Sequence, residues 1–149
     1  MRWNGLFDDL EAHWVDLGWQ ETVAEAAELT RAEWMALSLV DRLRGARGRQ
    51  VRLHLAWGEV VDGVVHTVGQ GWVGVHVDGS GSAIVAVDCV AAVEADLTRA
   101  ALAPELAAAG WGTVLRGIAR TRQPVAVTGR LGAALAEGTV DRVGGDHLD

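Results

Sequence analysis

The chain has 149 residues, of which 50% are hydrophobic and 22% charged, and its formal net charge is −7. That is enough for one ordinary domain or two very small ones, and it excludes an intrinsically disordered chain. No apolar run approaches the roughly 20 residues of a transmembrane helix, so no membrane partner is expected. With thirteen basic residues against twenty acidic ones, the balance argues at first sight against nucleic acid, because phosphate binding depends on cationic side chains.

Met1-Arg2-Trp3-Asn4-Gly5 leads straight into Phe7-Asp8-Asp9 and predicts no secretory signal. The single Cys89 excludes an internal disulfide and a cysteine-based zinc cluster and fits a reducing cytoplasm, the expected location. All basic residues are Arg, with no Lys, the composition of a high-GC coding sequence. Residues 1–41 hold nine acids and two Arg, whereas residues 42–149 hold eleven of each sign. Within the neutral part, Arg42, Arg44, Arg47, Arg49 and Arg52 form a local basic collar without an acid.

In the acidic arm, Leu6, Phe7, Leu10, Trp14 and Leu17 recur at three- and four-residue steps, the period of one helix face. Asn4 is placed as its N-cap and Gly18 as its stop. Thr22-Val23-Ala24-Glu25 has capping-box spacing, and no Pro or Gly follows until Gly45. This predicts one helix from about 22 to 44, roughly 35 Å long at 1.5 Å per residue. Val23, Ala26, Ala27, Trp34, Leu37, Val40 and Leu43 share its apolar stripe. Two readings of the arm stay open. The helices bury their tryptophans against each other, or Trp3, Phe7, Trp14, Trp19 and Trp34 are protein-contact residues, since exposed Trp anchors are favoured at interfaces.

From Gln50 the period changes to two. Val51, Leu53 and Leu55 alternate with Arg52, His54 and Ala56, a half-buried strand ended by the turn Trp57-Gly58-Glu59. Val60 to Val68 and Trp72 to Val77 follow as strands, broken near Gly69 and Gly71. Asp78-Gly79-Ser80-Gly81-Ser82 is a hairpin turn, and Ile84 to Val87 and Val90 to Val93 complete five strands. Five short strands with glycines at the bends predict a closed or nearly closed barrel.

The helix, V-x-L-x-L-x-x-G (Val51 to Gly58), G-x-V-x-x-V (Gly63 to Val68), Trp72 to Val77 and the pair within Val85 to Val93 resemble the Sm/LSm (Hfq-like) small β-barrels over roughly residues 40–95. The resemblance implies a base pocket built by an Asp after the second strand and an Asn beyond it. Here that stretch reads Gly69-Gln70-Gly71-Trp72. It also implies a basic residue between strands four and five, where Val87-Asp88 stands instead. A carboxylate there repels phosphate. The barrel is expected to be kept while its RNA pocket is absent.

An internal repeat extends this. Leu43-Arg44-Gly45-Ala46 matches Leu115-Arg116-Gly117-Ile118, and Gly63 to Gly69 matches Gly138 to Gly144, at offsets of 72 to 75 residues. Leu97 to Trp111, broken by Pro104 and Gly110, reads as a helical connector, and Thr113 as the cap of a helix to about Thr121. The expected architecture is α+β: a helical arm (1–44), a five-stranded Sm-like β-barrel (45–95), a connector (96–122) and a second, incomplete Sm-like β unit (123–149), either completed by another element or chain or truncated.

Few residues offer chemistry. His54, His66 and His76 sit in predicted strands, but alternation points all three outward, so no metal site is assigned. Cys89 is placed on an apolar strand as a buried thiol, and Gly79-Ser80-Gly81 is a turn rather than a phosphate cradle. No catalytic residue and no cofactor is expected. The collar is read as a helix end that complements the C-terminal dipole and pairs with the acidic arm, with phosphate contacts as the alternative. The leading expectation is a non-enzymatic Sm-like protein that binds another protein. By the resemblance, that partner belongs to the transcription or RNA-metabolism machinery, and strand pairing between neighbours leaves a homo-oligomer open. The alternative is an RNA-binding post-transcriptional regulator that uses Arg42 to Arg52.

Overall fold

The computed structural model describes residues 23–79, 81–101 and 109–149. The helix expected over 5–17, the Thr22 cap and Trp3, Phe7, Trp14 and Trp19 lie outside them. The chain divides into two compact units, Met1–Leu37 and Ser38–Asp149. In the first, residues 23–36 form a helix (α1) whose described residues are all exposed. An Arg31–Glu28 ion pair at 2.9 Å and a Thr30 Oγ1 bond to the Ala26 carbonyl at 2.8 Å lie along it.

The single helix expected from about 22 to 44 is not formed. The chain bends at Leu37, and Ser38 is extended (φ −72°, ψ 159°). Ser38 Oγ accepts from the Asp41 backbone N–H at 3.2 Å, while the Asp41 carboxylate accepts from Ser38 N–H at 3.3 Å. This reciprocal capping box offers the backbone donors partners that a continuous helix would have supplied, so a new helix, α2 (Leu39–Gly45), starts here.

α2 buries Leu43 completely, and the following Ala46 is also fully buried. The strands follow as β1 (Gln50–Leu55), β2 (Val60–Val68), β3 (Trp72–Val77), β4 (Gly81–Ala86) and β5 (Val90–Glu94). All neighbours are antiparallel, in the order β4-β3-β2-β1-β5. Along β1 every second residue is buried, and Val51, Leu53 and Leu55 meet Val65, Val73, Val75 and Val85 in one core with Leu43. The period of two places one apolar face of the sheet inside, which is the main source of its stability.

The expected closed barrel is not formed, because β4 and β5 stand at opposite edges and no ladder joins them. A 3-10 turn, Val87–Cys89, links them, and its backbone bonds go elsewhere. Val87 N–H donates to the Gly71 carbonyl at 2.9 Å and the Cys89 carbonyl accepts from Ala56 N–H at 2.9 Å. Cys89 therefore lies on this turn, half-buried, and not on a strand.

Residues 97–101 are not helical, and Ala101 N–H donates to the Asp41 carbonyl at 3.0 Å. The second part of the unit comprises α3 (Trp111–Thr121) and a hairpin of β6 (Pro124–Thr128) and β7 (Ala134–Thr139), a separate two-stranded sheet. The cap of α3 is Gly110, not Thr113, whose N–H already bonds to the Gly110 carbonyl at 3.0 Å. The start is set from the sheet: Trp72 Nε1 donates to the Ala109 carbonyl at 2.8 Å, and the Trp72 and Trp111 rings lie 6.5 Å apart.

The two halves of the repeat share an order of helix, strand, strand: α2-β1-β2 and α3-β6-β7. They differ in packing. α3 has no fully buried residue, and every residue of β7 is exposed.

Candidate functional site

The collar begins in α2. Arg44 Nη1 lies 2.6 Å from Asp41 Oδ1, three residues back on the same helix, with both side chains largely buried. Ser38 and Arg44 together hold the Asp41 carboxyl below the usual carboxylate range, the Ser38 hydroxyl bond being the largest influence. Arg47 Nε donates to the His66 carbonyl at 3.2 Å, and Arg49 Nη1 stands 2.6 Å from Asp96 Oδ2. Arg52 bridges two strands, with Nη2 2.8 Å from Asp62 and Nη1 3.5 Å from Glu94. Arg42 also has a partner. The carboxylates that meet the collar are Asp41, Asp62, Glu94 and Asp96; three of these four belong to the sheet region and not to the arm.

Arg52 stands within a polar row on the outer face of the sheet. Gln50 Nε2 donates to Asp62 at 2.6 Å, and His54 Nε2 lies 2.6 Å from Glu94 Oε1. Hydrogen bonds from Gln50 and Arg52 keep the Asp62 carboxyl below its ordinary value. These are exposed cross-strand pairs, and each contributes little to stability.

His66 and His76 occupy the same sheet. The β2–β3 register shifts between Val65 and Thr67, which leaves His66 as the bulged residue. Its ring lies over Gly74, where a Cβ would stand 2.8 Å from His66 Nε2, and it stacks on His76 with centroids 4.3 Å apart. Nδ1 of His66 shares a hydrogen bond with Thr67 Oγ1 at 2.8 Å, whereas Nε2 is buried without a partner. Burial first, then His76 and Arg47, push the His66 imidazole below its ordinary value. His54 is held apart at Glu94, and among the described residues no group of three or more His, Cys, Asp or Glu could hold a metal ion.

Asp88, on the 3-10 turn, is paired with Arg130 from the β6–β7 connection. In the same connection a Cβ at Gly132 would stand 2.5 Å from Trp57 Cδ1, so the hairpin tip rests against the end of β1. Cys89 Sγ faces Asp88 at 3.6 Å; burial and that carboxylate push the thiol above its ordinary value, the opposite of nucleophile activation.

Of the arm residues named as protein contacts, only Trp34 is described. With Thr30, Arg31 and Met35 it lines an apolar depression of about 470 Å³ on α1. Met35 is 87% exposed.

The fold also assembles residues that no motif singles out. A cleft of about 290 Å³ is lined by Arg116, Ala119 and Arg120 of α3 and by Asp141, Arg142 and Val143. Arg122 Nη1 lies 3.4 Å from Asp141 Oδ1. Among the described residues no ion pair or side-chain hydrogen bond engages Arg116, Arg120 or Arg142. The four-residue spacing of Arg116 and Arg120 was visible in the sequence; the approach of Arg142 was not.

No helix among the described residues is long and apolar enough to cross a membrane. No family model, curated protein or solved structure matches the chain.

Proposed function

We propose that the protein is a cytoplasmic, non-enzymatic interaction module of Sm-like type that binds a protein partner in the transcription or RNA-metabolism machinery. A helix followed by five antiparallel strands at the expected positions supports the Sm-like reading. The resemblance's base pocket would occupy Gly69 to Trp72, and these residues are instead spent on a turn: Gly69 N–H bonds the Trp72 carbonyl and Gln70 N–H the Ala109 carbonyl, both at 3.0 Å. Asp88, standing where a cation is expected, is neutralised by Arg130 of the same chain.

The observation that carries protein over RNA is the collar. Arg44, Arg49 and Arg52 are each held by a carboxylate of the chain, and Arg47 by the His66 carbonyl. A phosphate would compete with those partners, which lessens what the collar offers it. Contact surface for a protein is offered by the apolar side chains exposed on α1 and by the unpaired edges of β4 and β5, which invite strand addition.

The test is a pull-down of the tagged full chain from its native cell after nuclease treatment. The expected result is a protein partner whose recovery falls for Leu29→Ser with Met35→Ser. Recovery of no protein, or of one that vanishes with nuclease, overturns the proposal.

A further inference from the structure

We propose that the cleft between α3 and residues 141–143 binds a phosphate dianion, either free or as a monoester. This does not rest on the Sm-like reading, because it uses a different part of the chain and different residues.

Arg116 and Arg120 are four residues apart and project from one face of α3. Arg142 approaches from the C-terminal segment, whose backbone is tied down. Asp141 N–H donates to the Asp149 backbone oxygen at 2.7 Å, Asp149 N–H donates to the Arg142 carbonyl at 3.1 Å, and Val143 pairs with Leu148. The three arginines thus line the cleft from two elements, with Ala119 and Val143, both half-buried, beside them, and the Arg116 guanidinium reaches back along α3 towards Gly112. Guanidinium is always charged, and its planar fork matches two phosphate oxygens at once.

What marks the cleft is three arginines that no carboxylate engages among the described residues, although Asp141 stands in the lining. This chain has more carboxylates than arginines, and Arg31, Arg44, Arg49, Arg52 and Arg130 each meet one. Grouping three unmatched guanidiniums costs repulsion that a bound anion would reverse. The one carboxylate in the lining, Asp141, is turned to Arg122. Asp146 is engaged by His147 Nδ1 at 2.8 Å.

Arg122 carries a second, independent sign. It caps α3 in the left-handed conformation (φ 48°, ψ 30°), and it is the single non-glycine residue with positive φ among those described. Glycine is the usual occupant of such a position, and a residue with a side chain is disfavoured there. The Arg122 side chain lies 3.4 Å from Asp141, and in this proposal it draws that carboxylate off the other three arginines. Arg122 is therefore a positioning residue.

The size of the cleft is compatible with a small anion. About 290 Å³ is at the small end of ligand sites, on the order of 300–1,000 Å³. It suits one phosphate with a small attached group. A nucleic acid needs a track of cations along its backbone, and here Asp141, Asp146 and Asp149 flank the cleft on the C-terminal side.

The experiment is calorimetric titration of the full chain with inorganic phosphate, phosphoserine, AMP and a single-stranded RNA oligonucleotide, with chloride as the control anion. Saturable binding of the phosphates is expected. It should weaken at least tenfold in Arg142→Ala and in Arg116→Ala with Arg120→Ala, and recover only in part in Arg142→Lys, which keeps the charge but loses the fork. Arg122→Gly should leave the melting temperature unchanged or higher, yet weaken binding by freeing Asp141. Tighter binding of phosphoserine or AMP than of inorganic phosphate assigns a peptide or nucleotide source, and equal binding assigns free phosphate. The proposal is overturned if none of the three binds, if Arg142→Ala binds as well as the unaltered chain, or if the RNA binds more tightly than all three.

Discussion

His66 shows what a single residue in a β-bulge can impose. Its ring is pressed between Gly74 and His76 with one nitrogen buried and unpartnered. The groups facing it are Arg47 after α2, Thr67 beside it and His76 on β3, itself bonded to Ser82 of β4. None of these is an acid that would welcome a proton. Burial, with His76 and Arg47 beside it, lowers its pKa from the ordinary 6.5, so the folded chain holds His66 neutral at a pH where the unfolded chain has begun to protonate it. The unfolded state then binds more protons, and stability falls as pH drops below 6.5, levelling off once the folded imidazole also protonates. Asp41, Asp62 and Asp96 are lowered from 3.8, so their contributions are lost only as pH falls through that lower range. Urea unfolding at pH 7 and pH 5 separates the two effects. The midpoint should be lower at pH 5, and His66→Gln should shrink the difference; an undiminished difference contradicts this account. Alternation alone marked His66 as outward, but a register shift at Val65/Thr67 depends on how β3 pairs, which no local pattern encodes.

At the scale of elements, α2 and α3 begin similar motifs and end in different surroundings. A Cβ at Gly45 would stand 2.1 Å from the Arg99 carbonyl oxygen, whereas nothing lies within 4 Å of one at Gly117. Gly45→Ala should therefore destabilise by about 1–3 kcal/mol through overpacking against backbone. Gly117→Ala should stabilise by about 0.5–1 kcal/mol through helix propensity. Denaturant melts of both variants check this, and equal effects would show that the two helices are packed alike. Two strands were legible residue for residue, β2 at Val60–Val68 and β3 at Trp72–Val77, whereas β4 starts at Gly81, inside the expected turn, and ends at Ala86 before the 3-10 turn. β3 is buried on both faces from Trp72 to Val75 and the turns beside it are local, so an apolar run between glycines and the strand share a cause. The break before α2 was also written in the sequence, as Ser38-Leu39-Val40-Asp41, but the apolar stripe runs unbroken through it. A short polar cap outweighed a long apolar period.

For the whole molecule, the distribution of charge decides more than its total. The run of five arginines was the conspicuous feature of the sequence, yet Arg49 meets Asp96 and Arg52 meets Asp62 and Glu94 only through the sheet. Such partners lie 10 to 47 residues away and cannot be read from spacing. The same long-range placement brings Arg130 to Asp88 and leaves Arg116, Arg120 and Arg142 around one cleft. We propose that the collar is structural rather than an RNA-binding surface. The most direct test is the affinity of the full chain for single-stranded RNA across a salt series, compared with Arg47→Ala and Arg49→Ala together. The account predicts weak binding that the double variant does not change. Tight binding that falls steeply with salt, with a slope reduced in the double variant, would contradict it.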